Sequence, residues 1–530
     1  MIQVQDIEEA EIAGLKQQEL GQFPTPAPLA DFMASLFKGD WPTVRLLDAG
    51  AGVGALSVAL IKRLCTQPVK PKAIAVTAYE IDASLIAQLQ ANLDQCGHVC
   101  ASVGIQFSAT IHNQDFIESV VPLVQGGLFV QPLRHFNLAI VNPPYRKIRS
   151  NSAHRLLLRS AGIEATNLYT AFVSLIVRLL DAGGQLVAIT PRSFCNGPYF
   201  RPFREDLLEQ MAIDHIHSFE SRSAAFSADE VLQENIIFHA TKSSQSLGNV
   251  TISTSTGVAG SPVQEHRVIF SQVVSPADPE RFIHLVSDSG QARVKNNVAQ
   301  FRHTLADLGL KVSTGRVVDF RAESFLRDQP AADTVPLIYP CHFNGGFVHW
   351  PKPASRKPNA IVANDETRSL LIPAGNYVLV KRFSSKEEKR RIVACIFDPA
   401  QLPPCAAVGL ENHLNYFHAG GKGLPMDLAR ELAMFLNSTL IDQYFPQFNG
   451  HTHMNAACLR SFRSKYSKLG RFPSHGRKFR TNSFQYARVS QCSRARNRIA
   501  FSGFGRRGLQ PQLNRRNSRR NLVATSSSWI

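Results

Sequence analysis

No run of about 18 apolar residues occurs anywhere in this 530-residue sequence, so no membrane-spanning helix is expected. The opening stretch, MIQVQDIEEAEIAGL, is acidic and lacks the basic-then-apolar order of a secretory signal. Cysteine is sparse and scattered. Of nine, only Cys96 and Cys100 stand close, around His98 in CGHVC, and no second pair completes a zinc site. Reduced thiols in a cytosolic compartment and no bound metal are the expectation. Acidic residues are missing from residues 461–530, which hold 17 Lys/Arg and no Asp or Glu. That segment carries the whole net charge of +17, leaving 41 Lys/Arg against 41 Asp/Glu over residues 1–460. A global basic-protein argument for nucleic-acid binding is therefore weak.

What is present suits a globular chain of more than one domain: 44% hydrophobic and 19% charged residues over 530 positions. The stretch TVRLLDAGAGVGALSVALIKRL passes from an apolar run through glycines to helical spacing, a strand–loop–helix unit. AIAVTAYEID and GIQFSATIHNQDF are further strands with the helix ASLIAQLQANLDQC between them. FNLAIV follows as a fourth, then a helix over about 166–181 and the strands GQLVAITP, IDHIHSFES and ENIIFHAT. Before all of these, Asp31 to Phe37 reads as a helix. Strands alternating with helices predict an α/β fold with a mostly parallel, doubly wound sheet. The Ser/Thr/Gly-rich stretch after residue 241 marks a boundary at 245/246. Residues 246–460 read as a second, α+β domain, with one helix in MDLARELAMFLNSTLIDQYF. The tail from 461 shows little periodicity.

The chemistry concentrates at strand ends, where open α/β sheets bind ligands. Gly50, Gly52 and Gly54 let the chain turn sharply and bring backbone close to a ligand. Glu80, ending the next strand, has the chemistry to accept both hydrogens of a ribose diol. Asp115 ends the third, where it can accept from an adenine amino group, with Phe116 beside it for stacking. The plain alternative for each acid is a solvated loop end. Asn142-Pro143-Pro144-Tyr145 follows the fourth strand, and two prolines cannot continue a paired strand. A nucleobase amino group is a poor nucleophile. A rigid pair of acceptors, the Asn142 side-chain oxygen and the Pro143 carbonyl, holds its hydrogens while the lone pair turns outward. Tyr145 offers an aromatic face. Positioning and preorganised dipoles would then carry catalysis; the alternative is a simple diproline turn.

DAGAGVG, YEID, NQDF and NPPY, in this order, resemble the motifs of S-adenosylmethionine-dependent amino-methyltransferases. LGQFPTP (Gly21 to Pro26) resembles the segment closing over the methionine end in N6-adenine DNA methyltransferases. The order, with a large carboxyl-terminal region, is similar to the gamma class of type II restriction–modification systems, over roughly residues 10–460. The resemblance implies a Rossmann-like, seven-stranded sheet (1–245) and a target-recognition domain (246–460). It implies cofactor contacts from Phe23, Thr25 and Pro26, from Asp48, Gly50, Gly52 and Gly54, and from Glu80, Ile81, Asp115 and Phe116. Asn142, Pro143, Pro144 and Tyr145 would hold a flipped adenine, with Phe194 or Tyr199 as a second stacking face. Implied partners are double-stranded DNA and, functionally, a cognate restriction endonuclease; a monomer in a prokaryotic cytoplasm is the family expectation. KRFSSKEEKRR has the chemistry of phosphate contacts.

The likeness fades after NGHTHMNAACLRSF. The acid-free remainder reads either as a basic arm adding nonspecific affinity or as a reading frame shifted near residue 457, which the abruptness favours. Other functions weighed are glutamine-N5 methylation of a protein and adenine methylation of RNA, against which the long carboxyl-terminal region argues. An inactive DNA-binding remnant is the reading from outside enzymology.

Overall fold

Strands and helices alternate from Thr43 to Lys242 as the hydrophobic pattern requires, and they build one sheet. The computed structural model describes residues 25–126, 135–219, 234–243, 248–257, 260–301, 303–384 and 390–449, with 459, 463 and 464. The strands are β1 Thr43–Ala49, β2 Ala73–Tyr79, β3 Gln106–His112, β4 Phe136–Val141, β5 Leu180–Pro191, β6 Met211–Phe219, β7 Asn235–Lys242, β8 Asn249–Ser255 and β9 Gln264–Ile269. Their order is β3-β2-β1-β4-β5-β7-β6-β8-β9. The first five pair in parallel, while β7 runs antiparallel to both β5 and β6. The sheet is therefore mixed, and it has nine strands rather than the expected seven. β8 and β9 carry it past residue 245, so the expected boundary falls within the sheet.

Both faces of the sheet are covered, which explains why its central strands read as continuous apolar runs. Along β4, Leu138 and Ile140 join one core with Leu46, Leu60 and Ile74, while Ala139 and Val141 join the other with Leu47, Val120 and Ile176. The helices are α1 Ala27–Ser35, α2 Ala55–Thr66, α3 Ile86–Ser102, α4 Phe116–Gln125, α5 Ala153–Ser160, α6 Leu168–Leu179 and α7 Arg201–Gln210. Helix α1 begins earlier than the Asp31 start expected, because Pro28 sits in its first turn, where no backbone donor is needed.

Residues 270–449 add a six-stranded and a five-stranded sheet with flanking helices. The long helix expected near residue 430 is two, Met426–Leu436 and Thr439–Tyr444. The break has a cause: the Ser438 hydroxyl accepts from the Ile441 amide at 3.3 Å, and Asn437 bonds the Ala394 backbone in both directions. Arg463 and Ser464 pair with Thr304 and His303. Phe23 and the remainder of the basic tail lie outside the described residues. Among the described residues no helix is long and apolar enough to cross a membrane.

Two buried arginines tie the later chain to the main sheet. Arg204 on α7 is fully buried and donates to the Phe194, Gly197 and Glu280 carbonyls at 2.7–3.0 Å. Arg192, just after β5, pairs with Glu234 at 2.9 Å and donates to the Pro446 and Gln447 carbonyls. A buried guanidinium is tolerated only where its donors are matched. Arg204→Ala should therefore lower unfolding stability by roughly 3–5 kcal/mol. Urea denaturation checks this; an unchanged midpoint would show that the clamp is dispensable.

Candidate functional site

A ligand-sized cleft opens at the carboxyl ends of β1, β2 and β4, with a volume of about 250 Å³. Gly50 and Ala51 both donate to the Tyr79 carbonyl, at 2.8 and 2.9 Å, which bends the chain over the end of β2. Gly50 and Gly52 have φ of 78° and 57°, conformations that side chains rarely adopt. A Cβ at Gly52 would meet no heavy atom within 4 Å, so the backbone itself forms the rim there. The Glu80 carboxylate, 1% exposed, holds this loop: one oxygen accepts from the Gly52 amide at 2.7 Å, the other from Asp82 at 2.8 Å. A carboxylate has about four acceptor positions, so one group can hold the loop and also take a ligand hydroxyl.

Asp115 caps α4, accepting from the Glu118 amide at 2.9 Å, and its other oxygen meets His154 Nε2 at 3.2 Å. Burial pushes the Asp115 carboxyl up, but the His154 and amide hydrogen bonds outweigh it and hold the group below its usual range. The same contact raises His154 against its partial burial; Glu118 adds to the rise and Arg146 opposes it. Between these acids the walls are apolar. Ile81 is 49% exposed at its strand end, and Phe116 packs on Phe172 at 4.9 Å.

Beyond β4, the Asn142 amide donates from Nδ2 to Thr25 Oγ1 at 3.1 Å, and its Oδ1 accepts from the Tyr145 hydroxyl at 3.1 Å. In this orientation Oδ1 is the acceptor end of the amide. Burial raises the Tyr145 phenol, so it remains a donor at neutral pH.

The cleft thus brings together Thr25, Gly50, Gly52, Glu80, Ile81, Asp115, Phe116, Asn142 and Pro144. Asp48, Gly54, Pro26 and Pro143 are not among its lining residues. Asp48 accepts from Ser57 Oγ at 2.6 Å, and burial lifts it to about 7 against the Ser57 bond, with Glu80 adding to the rise. Gly54 starts α2, where a Cβ would strike Leu89 at 2.7 Å. Two of the rings expected to stack on the base are buried in this structure. Phe194 is buried edge-on against Phe203 and Phe238, because an unpartnered ring gains most in the core. Tyr145 is 7% exposed, with its ring toward Tyr169 and its hydroxyl spent on Asn142. Tyr199 is 77% exposed. Sequence reasoning missed Arg146, His154, Leu168 and Phe172. The last two lie on an apolar helix that reads as core, and nothing in SAHRLLLRS singles out its histidine.

The match to known proteins agrees with this geometry. Residues 91–226 match the Eco57I restriction-modification methylase model. The chain is 42% identical to type II methyltransferase M.PstI of Providencia stuartii, over 84% of this chain and 87% of that one. It is 44% identical to M.BsuBI of Bacillus subtilis, over 84% and 88%. A solved class I S-adenosylmethionine-dependent methyltransferase from Listeria monocytogenes is a distant likeness: 16% identity, TM-score 0.35, 48% of this chain and 72% of that one. The fold and the cleft define an α/β methyltransferase. This chain belongs to the type II DNA methyltransferases of restriction–modification systems. S-adenosylmethionine is its cofactor, and the residues fit: a glycine rim for close approach, buried acceptors for hydroxyl and amino groups, apolar walls for a base. The protein-glutamine and RNA readings are not favoured.

Replacing the Glu80 carboxylate by an amide, Glu80→Gln, sets a donor against a backbone donor. Cofactor affinity should fall about tenfold or more, from roughly 1–3 kcal/mol for a mispaired buried group. Calorimetric titration checks this, and an unchanged Kd would remove Glu80 from the loop's support.

The Asp115–His154 pair has a definite pH signature. The histidine's contribution is complete below its ordinary value of 6.5 and is lost as pH rises through the raised one. The aspartate's is complete above 3.8 and is lost as pH falls through the lowered one. Melting temperature against pH should flatten on the alkaline side in His154→Ala; profiles of identical shape would count against the pair.

Proposed function

We propose that this enzyme transfers the methyl group to the N6 atom of adenine in a short duplex site, marking DNA against a cognate restriction endonuclease. The observation that carries this reading is the Asn142 amide, held by Thr25 and Tyr145 at the cofactor cleft. S-adenosylmethionine supplies an electrophilic methyl group when bound. The Asn142 Oδ1 and the Pro143 carbonyl would accept the two amino hydrogens, so that the nitrogen lone pair is directed rather than delocalised. Tyr145 would act as a positioning residue, keeping Asn142 Oδ1 oriented, and exposed Tyr199 remains the candidate stacking face. The base must leave the duplex to reach this loop, at a cost of a few kcal/mol.

We assign target recognition to about 246–460, a region whose first two strands belong to the main sheet, with the enzyme acting as a monomer in the cytoplasm. The run KRFSSKEEKRR supports it less than expected. Arg382 donates to the Asn412 carbonyl and Arg391 is buried against Ser384, while residues 385–389 lie outside the described set. The test is label transfer from S-adenosylmethionine to mixed-sequence DNA, followed by digestion to nucleosides. Label in N6-methyladenine is expected; label in N4-methylcytosine would overturn the adenine assignment. Asn142→Ala should lower kcat by roughly 10²–10³-fold. Tyr145→Phe should lower it about tenfold. Both should leave cofactor affinity nearly unchanged, and near-wild-type transfer by Asn142→Ala would sink the assigned role.

A further inference from the structure

A second cavity, of about 360 Å³, opens beside the cofactor cleft, and its polar lining is Arg146, Lys147, Arg149, Ser152 and His154. Arg146 and His154 line both cavities, so the two are contiguous. No carboxylate lines this second cavity; Asp115 and Glu118, at the start of α4, are engaged with His154. Lys147 and Arg149 make no ion pair among the described residues. Three cations in four consecutive positions repel one another, so grouping them costs free energy that an anion would recover.

The segment is also held in place. Ile148 donates to the Thr166 carbonyl and Leu168 to the Arg146 carbonyl, both at 2.8 Å, with Lys147 bridged to Asn167. At the far end the Ser152 hydroxyl donates to the Arg149 carbonyl at 2.9 Å and caps α5. The backbone carrying the charges is thus ordered without a ligand, which lowers the cost of binding one. This cavity begins at the residue after Tyr145, within the loop that would hold the target base. A nucleotide swung out of a duplex brings its own phosphates with it.

We propose that this cavity takes a phosphodiester group of the DNA strand that carries the target base. The proposal rests on the DNA-methyltransferase reading. Guanidinium and ammonium groups would neutralise the phosphate and fix the strand's register, without reading sequence. The experiment compares the full chain with the double variant Lys147→Gln/Arg149→Ala, two exposed positions outside the cofactor cleft. The measured quantities are kcat/KM for plasmid DNA across a salt series and the Kd for S-adenosylmethionine. The basic tail is common to both proteins, so its contribution cancels in the difference.

The variant should lose roughly tenfold in kcat/KM at moderate salt, and its log–log salt slope should be shallower by about 1, with the cofactor Kd unchanged. An unchanged slope would overturn the proposal, as would an equal loss of cofactor affinity. Binding of inorganic phosphate by the wild type alone, with unchanged DNA slopes, would mark a free-phosphate site and also overturn it. A wild-type chain that binds cofactor and methylates no DNA fails the functional reading instead. The same salt slopes, read then from equilibrium binding of plasmid fragments, decide the phosphate site separately.

Discussion

Everything at the cleft depends on the Glu80 carboxylate accepting two backbone N–H groups from different segments. The Gly52 amide belongs to the loop after β1 and the Asp82 amide to the turn after β2. A buried carboxylate is costly unless its acceptors are filled, and here filling them closes one strand end against the next. The same closure explains the glycines: the loop must pass at positive φ and come near enough to donate. Asp48 lies buried behind it, close enough that the Glu80 charge adds to its rise toward 7. The site is thus an arrangement of backbone made rigid by one acid, and side chains of the later motifs are set against it.

The Asn142 loop is fixed by a different device. β4 carries apolar side chains to both cores, so its end is immobile on both faces. The prolines then remove backbone donors that would otherwise demand partners. Asn142 is oriented by Thr25, 117 positions earlier in the chain, and by Tyr145, three positions later. Thr25 therefore matters as a hydrogen-bond partner that orients the Asn142 amide.

Much of this was legible in the sequence because it rests on local rules. A strand stops at Asn142 since prolines cannot pair, and the loop bends at Gly50 and Gly52 since other residues resist positive φ. What escaped was decided by distant partners. Phe194 looked like a stacking face, yet α7 and β7 bury it against Phe203 and Phe238. His154 has no local signature, and its meaning comes from Asp115, which α4 carries to it. The helix break at Asn437 was readable in principle, since Asn-Ser-Thr is capping chemistry, but the apolar period ran straight through it. β8 was lost because NVTISTS, rich in Ser and Thr, resembles linker, and β9 because four of the six residues of QEHRVI are polar.

The charge distribution shows why location outweighs total. The +17 net charge sits in residues 461–530, while residues 1–460 are balanced. Within that balanced part, cations still gather where the chain leaves the Asn142 loop, and acids gather under the cofactor cleft. Opposite fields on either side of Arg146 and His154 would sort two ligands of opposite character: a sulfonium cofactor beside carboxylates and a polyanion beside guanidinium groups. A uniform basic surface would attract DNA over the whole molecule and give no register. A local basic cavity one residue beyond Tyr145 would tie the strand's phosphate to the place proposed for its base.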